Sequence, residues 1–445
     1  MRKNYYKTII LAAIIGLSYF NVWADGEIPI STVADLQKIG NDVAYPLSGS
    51  YYLTNDIDLS GVADWVPIGA ISASESSGGT VRFTGVFDGR GYSIRNLTIT
   101  TETTFKGLFC RLFGATVKDL DLVNVDIKGT SPVGGVVGAM LGESIIERVS
   151  VTGNIKGDTQ VGGIAGRVAQ NANRIGYNMI HDCYVSANVT ATNQSTAMNS
   201  PSCAGGIVAL SQSTTDAGAY AKIEIARSYF TGIVESEQMT HISGNAAGIL
   251  AFYDNHNFVR MSECLVLADE IIAATPNYFF CRRGATANEL ELLENLFVRD
   301  DITLDYFDST SKGFGASMPA EKVDTLPFNT FKTAQFYADN LSWDFEDVWT
   351  IEEGYLPVLK RDTDGGTTGF SSPNSEKFYS LSTIQGALVI NPLSEISVNI
   401  FNVTGAKVHS VQNLNMKATI TLPKGAYIVQ FIYNEQNYAE KIIVR

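Results

Sequence analysis

Asp300, Asp301, Asp305 and Asp308 stand close enough along the chain to share a divalent cation, and two carboxylates from such a cluster could act as acid and base in glycosidic cleavage. Calcium is the metal that an all-oxygen ligand set of this kind selects. The four follow neither the EF-hand ladder nor the GGxGxD nonapeptide, so a solvated acidic edge is the plainer reading. Asp56 and Asp58, in NDID, form a second carboxylate pair, better suited to holding a turn. Sugar binding is a different chemistry, and FYDNHNF carries the residue types for it. Phe252, Tyr253 and Phe258 could stack on sugar rings while Asp254, Asn255 and Asn257 hydrogen-bond to hydroxyls, and Tyr177 and Tyr220 could contribute in the same way. The competing reading folds Phe252 and Phe258 back onto the core. Nucleophilic catalysis finds no support: GxSxG is absent, and His181, His241, His256 and His409 lack the context of a triad. His181, in HDCYV, reads as a rung residue. No catalytic residue is assigned, and with GxGxxG and GxxxxGK[ST] both absent no cofactor is expected.

The elements that must position these groups announce themselves as a repeat. VGGVVG at 133–138, VGGIAG at 161–166, AGGIVA at 204–209 and AAGILA at 246–251 recur at uneven intervals. Each is followed by an alternating run: ERVSVTGNI, HDCYVSANV, ARSYFTGIV and SECLVLADE. Two short strands per unit is the simplest reading, and units this small bury an apolar face only by stacking. The fold class expected is all-β: a parallel-type β-solenoid, or β-helix. The glycine pairs are read as corners that use positive φ and as points of close approach between rungs. Insertions near 169–180, 190–202, 211–222, 236–245 and 252–258 then fall on the sides of the stack, where binding loops belong. A helix over 31–43, capped by Ser31 or Thr32, would cover the first rung. Trp343, Trp349 and Tyr355 would seal the core at an exit cap.

The chain has 445 residues and a formal net charge of −14, which argues against nucleic acid as a partner. Arg2, Lys3 and Lys7 precede an apolar stretch from Ile9 to Phe20, and Val22 and Ala24 suit cleavage after Ala24. This reads as a secretory signal peptide over 1–24, with no transmembrane segment in the mature chain. Cys110, Cys183, Cys203, Cys264 and Cys281 show no CxxC spacing, so a zinc site is disfavoured. Cys183 and Cys264 share the register of Val149 and Ser228, as small side chains in an internal ladder. Residues 361–376 read as a polar linker. Beyond it, closely spaced alternating strands over 377–445 predict a small independent β-sandwich.

Several phrases resemble known families. NDIDLSGVADWVPIG, FTGVFDGRGYSIRNLTI, GLFCRLFGATVKDLDL, VGGVVG, VGGIAG and FEDVWTIEEGYLPVL resemble, in that order, the GLUG family of bacterial surface proteins. The resemblance implies an opening cap and first rungs over 25–106 and repeats with an exit cap over 107–360. ISVNIFNVTGAKV, LPKGAYIVQF and KIIVR resemble the C-terminal sorting domain of the type IX, or Por, secretion pathway of Bacteroidota. That resemblance implies an Ig-like β-sandwich over 377–445, recognised by the outer-membrane export apparatus and commonly removed at the cell surface. Taken together these point to a non-enzymatic protein, extracellular or on the outer cell surface, that binds a glycan or a host or bacterial surface protein in the manner of an adhesin. A β-helix polysaccharide lyase or hydrolase is the enzymatic alternative, and a structural surface spacer the third.

Overall fold

A computed structural model describes residues 26–70, 81–169, 176–192, 202–212, 220–237, 244–254, 257–273, 279–283, 292–306, 323–361, 379–384, 387–392, 396–402, 406–415, 418–433 and 436–444. The expected signal peptide, most of the expected linker, His241, His256, Asn255 and Asp308 lie outside these residues, as do the side chains of Asp254 and Asp305. The chain divides into two compact units, one ending at Asp364 and the other beginning at Gly365.

The first unit is a parallel β-solenoid. One turn of it shows the pattern: Gln160–Gly162, Ala165–Ala169, Asn178–His181 and Tyr184–Ala191 are successive strands, and each pairs in parallel with its counterpart in the next turn. The glycine phrase therefore spans two stations joined by a corner, where alternation alone suggested one strand. Two further stations belong to one 19-stranded sheet. In earlier turns they run together as Thr116–Lys128 and Ile145–Gly157. Inward columns follow from the alternation. Val117, Ile146, Ile180, Ile225 and Met261 pair in register and are fully buried, as are Leu122, Val151, Val185, Phe230, Val266 and Val298. Cys183 and Cys264 fill the neighbouring column, and all five cysteines are buried thiols. Burial pushes the Cys264 and Cys281 thiols up to about 12, which leaves them protonated and unreactive.

The glycines act by close approach alone. None of Gly134, Gly135, Gly162, Gly163, Gly205 and Gly206 has positive φ, contrary to half of the expectation. A Cβ on Gly163 would stand 2.0 Å from the Gly206 carbonyl oxygen, and one on Gly206 2.0 Å from that of Gly248. The left-handed corners are made elsewhere, by polar residues. Asp119, Arg148, Asp182, Arg227, Glu263 and Asn295 all have φ between 47° and 55° and occupy one station of successive turns. Such a conformation costs about 1–3 kcal/mol for a residue with a Cβ. Alternating charge along the column offsets it: Arg148 is bidentate on Asp119 at 2.6 and 2.9 Å, and Arg227 on Asp182 at 2.8 and 2.8 Å.

At the opening end, α1 (Val33–Lys38) covers the first rung with Leu36, and Thr32 caps it by accepting the Asp35 N–H at 3.1 Å. The closing segment behaves differently from an exit cap. After Val323–Leu326, the chain turns back through α2 (Ala334–Asn340) and runs along the flank of the stack. Ser342 N–H meets Glu263, Trp349 Nε1 donates to Asp182 at 3.1 Å, and Arg361 is bidentate on Asp121 at 2.9 and 2.7 Å. This strap closes a second core in which Trp343, Trp349, Phe331, Phe336 and Tyr337 cover Tyr184, Tyr229, Leu265 and Phe297. The large aromatics thus seal a flank and not the end, because that flank carries apolar residues pointing outward.

The second unit is antiparallel. Tyr379–Ile384, Ala387–Pro392 and Ala418–Thr421 form one sheet, and Ile396–Asn402, Lys407–Leu414, Gly425–Tyr433 and Gln436–Val444 form another. Leu388, Ile390 and Ile420 from the first share a core with Val398, Ile400, Val429 and Phe431 from the second. This is the small β-sandwich expected from the strand spacing.

Candidate functional site

Three of the aromatic residues singled out from the sequence converge on the outer face of three consecutive turns. Their strands are β1 (Asn178–His181), β2 (Lys222–Ala226) and β3 (Phe258–Ser262), which pair in parallel with Met179, Glu224 and Arg260 in one row. Tyr177 precedes β1 and shares a row with Lys222 and Phe258. The Lys222 ammonium lies 5.6 Å from the Tyr177 ring centroid and 5.2 Å from that of Phe258. The Arg260 guanidinium lies 4.3 Å from the centre of the Tyr177 ring. Tyr220 meets Phe258 edge-on at 5.9 Å. These are half-buried side chains, so the rings and charges hold one another in place while keeping an outward surface. In the next rows Glu224 stands 3.1 Å from His181 Nε2 and 3.6 Å from Arg260 Nη1. Burial, reinforced by Arg227, pushes His181 below the usual imidazole range despite the nearby Glu224 and Asp182.

The other predicted sugar-binding residues go elsewhere. Leu250–Asp254 belongs to a different sheet, where Tyr253 points into the main core and is fully buried. Phe252 packs beside Cys203, Ala209 and Ala251. Asn257 is buried and its Oδ1 accepts the Ala221 N–H at 2.9 Å, which is a structural role. The seven-residue phrase is therefore divided between strands of two different sheets. Among its described side chains, Phe258 alone reaches the face shared with Tyr177 and Tyr220. Sequence reasoning missed Lys222, Glu224 and Arg260. Their signal was the outward positions of KIEI and FVRM, charged residues at period two beside the aromatic ones.

The acidic cluster finds a different cation. Arg299 is bidentate on Asp301 at 2.6 and 2.8 Å and reaches Asp269 at 3.0 Å. The hydrogen bond and charge of Arg299 hold the Asp301 carboxyl below its usual range against burial. Asp300 is exposed and donates its N–H to the Leu326 carbonyl. Asp305 lies on Thr303–Tyr306, in the turn beyond Glu270–Ala273. Among the described residues no group of three or more His, Cys, Asp or Glu side chains is placed to hold a metal ion. Asp56 accepts from Ser93 N–H and Arg95, and Asp58 from Ser60 N–H and Asn96, so both carboxylates hold turns between rungs.

Parallel stacking with a lateral strap, and a separate antiparallel sandwich, define a repeat protein of two units. The comparisons bear on the second unit first. Residues 383–445 match the family described as the secretion system C-terminal sorting domain. That domain marks the chain for export by the type IX route of Bacteroidota, to the cell surface or the extracellular space, and implies contact with the secretion machinery. No helix among the described residues is long and apolar enough to cross a membrane. A stretch of 123 residues is 32% identical to Halomucin of Haloquadratum walsbyi; this covers 25% of the chain, which spans about 1% of that protein's length. The fold is similar to the crystal structure of a Bacteroides ovatus protein described as "a putative immunoglobulin A1 protease". That likeness has a TM-score of 0.53 and 17% identity, over 75% of this chain and 92% of the other.

Proposed function

We propose that the protein is a surface-displayed or secreted binding protein of the adhesin type, and that the outer face of β1, β2 and β3 holds its ligand, a glycan. The observation that carries this reading is the convergence of Tyr177, Tyr220 and Phe258 with Lys222 and Arg260 on one face, from three separate turns. Rings offer flat apolar surface to a sugar, and the cations offer donors to its oxygens. The GLUG-like order of phrases supports the same reading, since it resembles surface proteins.

A second reading is favoured by His181, Glu224 and Arg260. A largely unprotonated imidazole beside a carboxylate and a guanidinium has the parts for proton abstraction in a polysaccharide lyase. Incubating the full chain with a panel of polysaccharides separates the two. Retention of intact polymer is the expected result, whereas new reducing ends or unsaturated products would replace binding with catalysis.

A further inference from the structure

We propose that the site on β1, β2 and β3 takes a carboxylate-bearing polysaccharide, with Lys222 as the group that recognises the carboxylate. The inference rests on the binding reading above and narrows its ligand class.

Several cations of this flank are matched by a carboxylate on an adjacent rung or close by. Lys118 pairs with Asp88 at 3.1 Å, Arg148 with Asp119, Arg227 with Asp182, and Arg299 with Asp301. Lys222 breaks the pattern: no carboxylate among the described residues pairs with it, and its ammonium lies instead between the Tyr177 and Phe258 rings. Arg260 adds a second positive charge one row away, whose Glu224 neighbour already faces His181. A positively charged spot on a chain of formal net charge −14 selects an acidic ligand by contrast with its surroundings. Tyr177 and Phe258 are two rungs apart, roughly 9.6 Å at the usual strand spacing. Two rings at that separation, with an ammonium between, suit an extended chain of sugars laid across the rungs more than a single compact ligand. The half-buried setting strengthens a carboxylate–ammonium contact relative to one in bulk water.

The test uses the full chain and immobilised polygalacturonate, its fully methyl-esterified neutral form, and dextran sulfate. The expected result is binding to polygalacturonate that weakens steeply as salt rises, with loss of binding on esterification. Lys222→Gln is expected to reduce affinity about tenfold and Tyr177→Ala by at least as much, while Lys407→Gln, the same charge change on the other unit, leaves it unaltered. Unchanged thermal transitions in these variants separate lost contacts from lost folding. Binding to the methyl-esterified polymer equal to that of polygalacturonate, preference for dextran sulfate, or indifference to Lys222→Gln would overturn the carboxylate inference while leaving glycan binding intact. Binding to no polysaccharide, in this set or the wider panel, would overturn both.

Discussion

At the scale of single residues, small changes in this stack have sharp consequences because each rung rests directly on the next. Gly206→Ala would place a methyl group 2.0 Å from the Gly248 carbonyl and beside the Phe230 ring, neither of which can yield without moving a rung. A loss on the order of 3 kcal/mol or more is expected, read as a fall in the thermal transition. Gly61, whose Cβ position is open, should accept alanine with little change. His181 gives a pH dependence. Its folded pKa lies below the unfolded value, through burial and then Arg227, so the unfolded state takes up the proton first. The stability it supports is therefore complete above pH ~6.5 and declines as pH falls from there toward the folded pKa. His181→Gln should flatten that part of the stability profile, measured by denaturation between pH 7.5 and 5. An unaltered slope would place its origin in other groups.

At the scale of elements, the strap decides how the flank is finished. The outward station in register runs Asp121, Ser150, Tyr184, Tyr229, Leu265 and Phe297, polar in early turns and apolar in later ones. Trp349 covers the apolar part, stacked on Trp343 at 4.4 Å, and Arg361 pairs with buried Asp121 at the polar part. Trp349→Ala is expected to cost about 3–5 kcal/mol. Arg361→Met should cost a similar amount by stranding Asp121, about 3–5 kcal/mol, and the double variant Asp121→Leu/Arg361→Met should recover most of it. Tryptophan fluorescence during urea unfolding would report both, since Trp65, Trp343 and Trp349 all lie in the first unit. The inward columns of the solenoid are legible in the sequence, because alternation with Val, Ile and Leu marks a buried face at period two. The strap is less so, since a tryptophan pair looks the same whether it caps an end or covers a side. Its trace is the loss of alternation in CYV, SYF, CLV and LFV, runs that only a sheet covered on both faces would carry. The candidate site was half legible for a related reason. Aromatic residues near insertions were visible as types, but Tyr177, Tyr220 and Phe258 meet only through parallel register across turns of unequal length.

At the scale of the whole molecule, two units divide two tasks. The sandwich that ends the chain delivers it, and the solenoid is what is delivered. Stacking also lets an acidic chain carry local positive charge: several cations of the flank are neutralised between adjacent rungs, and Lys222, set between two rings, is not among them. The central claim is that ligand meets the chain on the face of β1, β2 and β3. Residue-level covalent footprinting of the full chain, with and without saturating polygalacturonate, tests it most directly. The account predicts protection of Lys222 and Tyr177 with little change at Lys118 or Lys407. Protection confined to the strap or to the terminal sandwich, with Lys222 and Tyr177 unaltered, would contradict it.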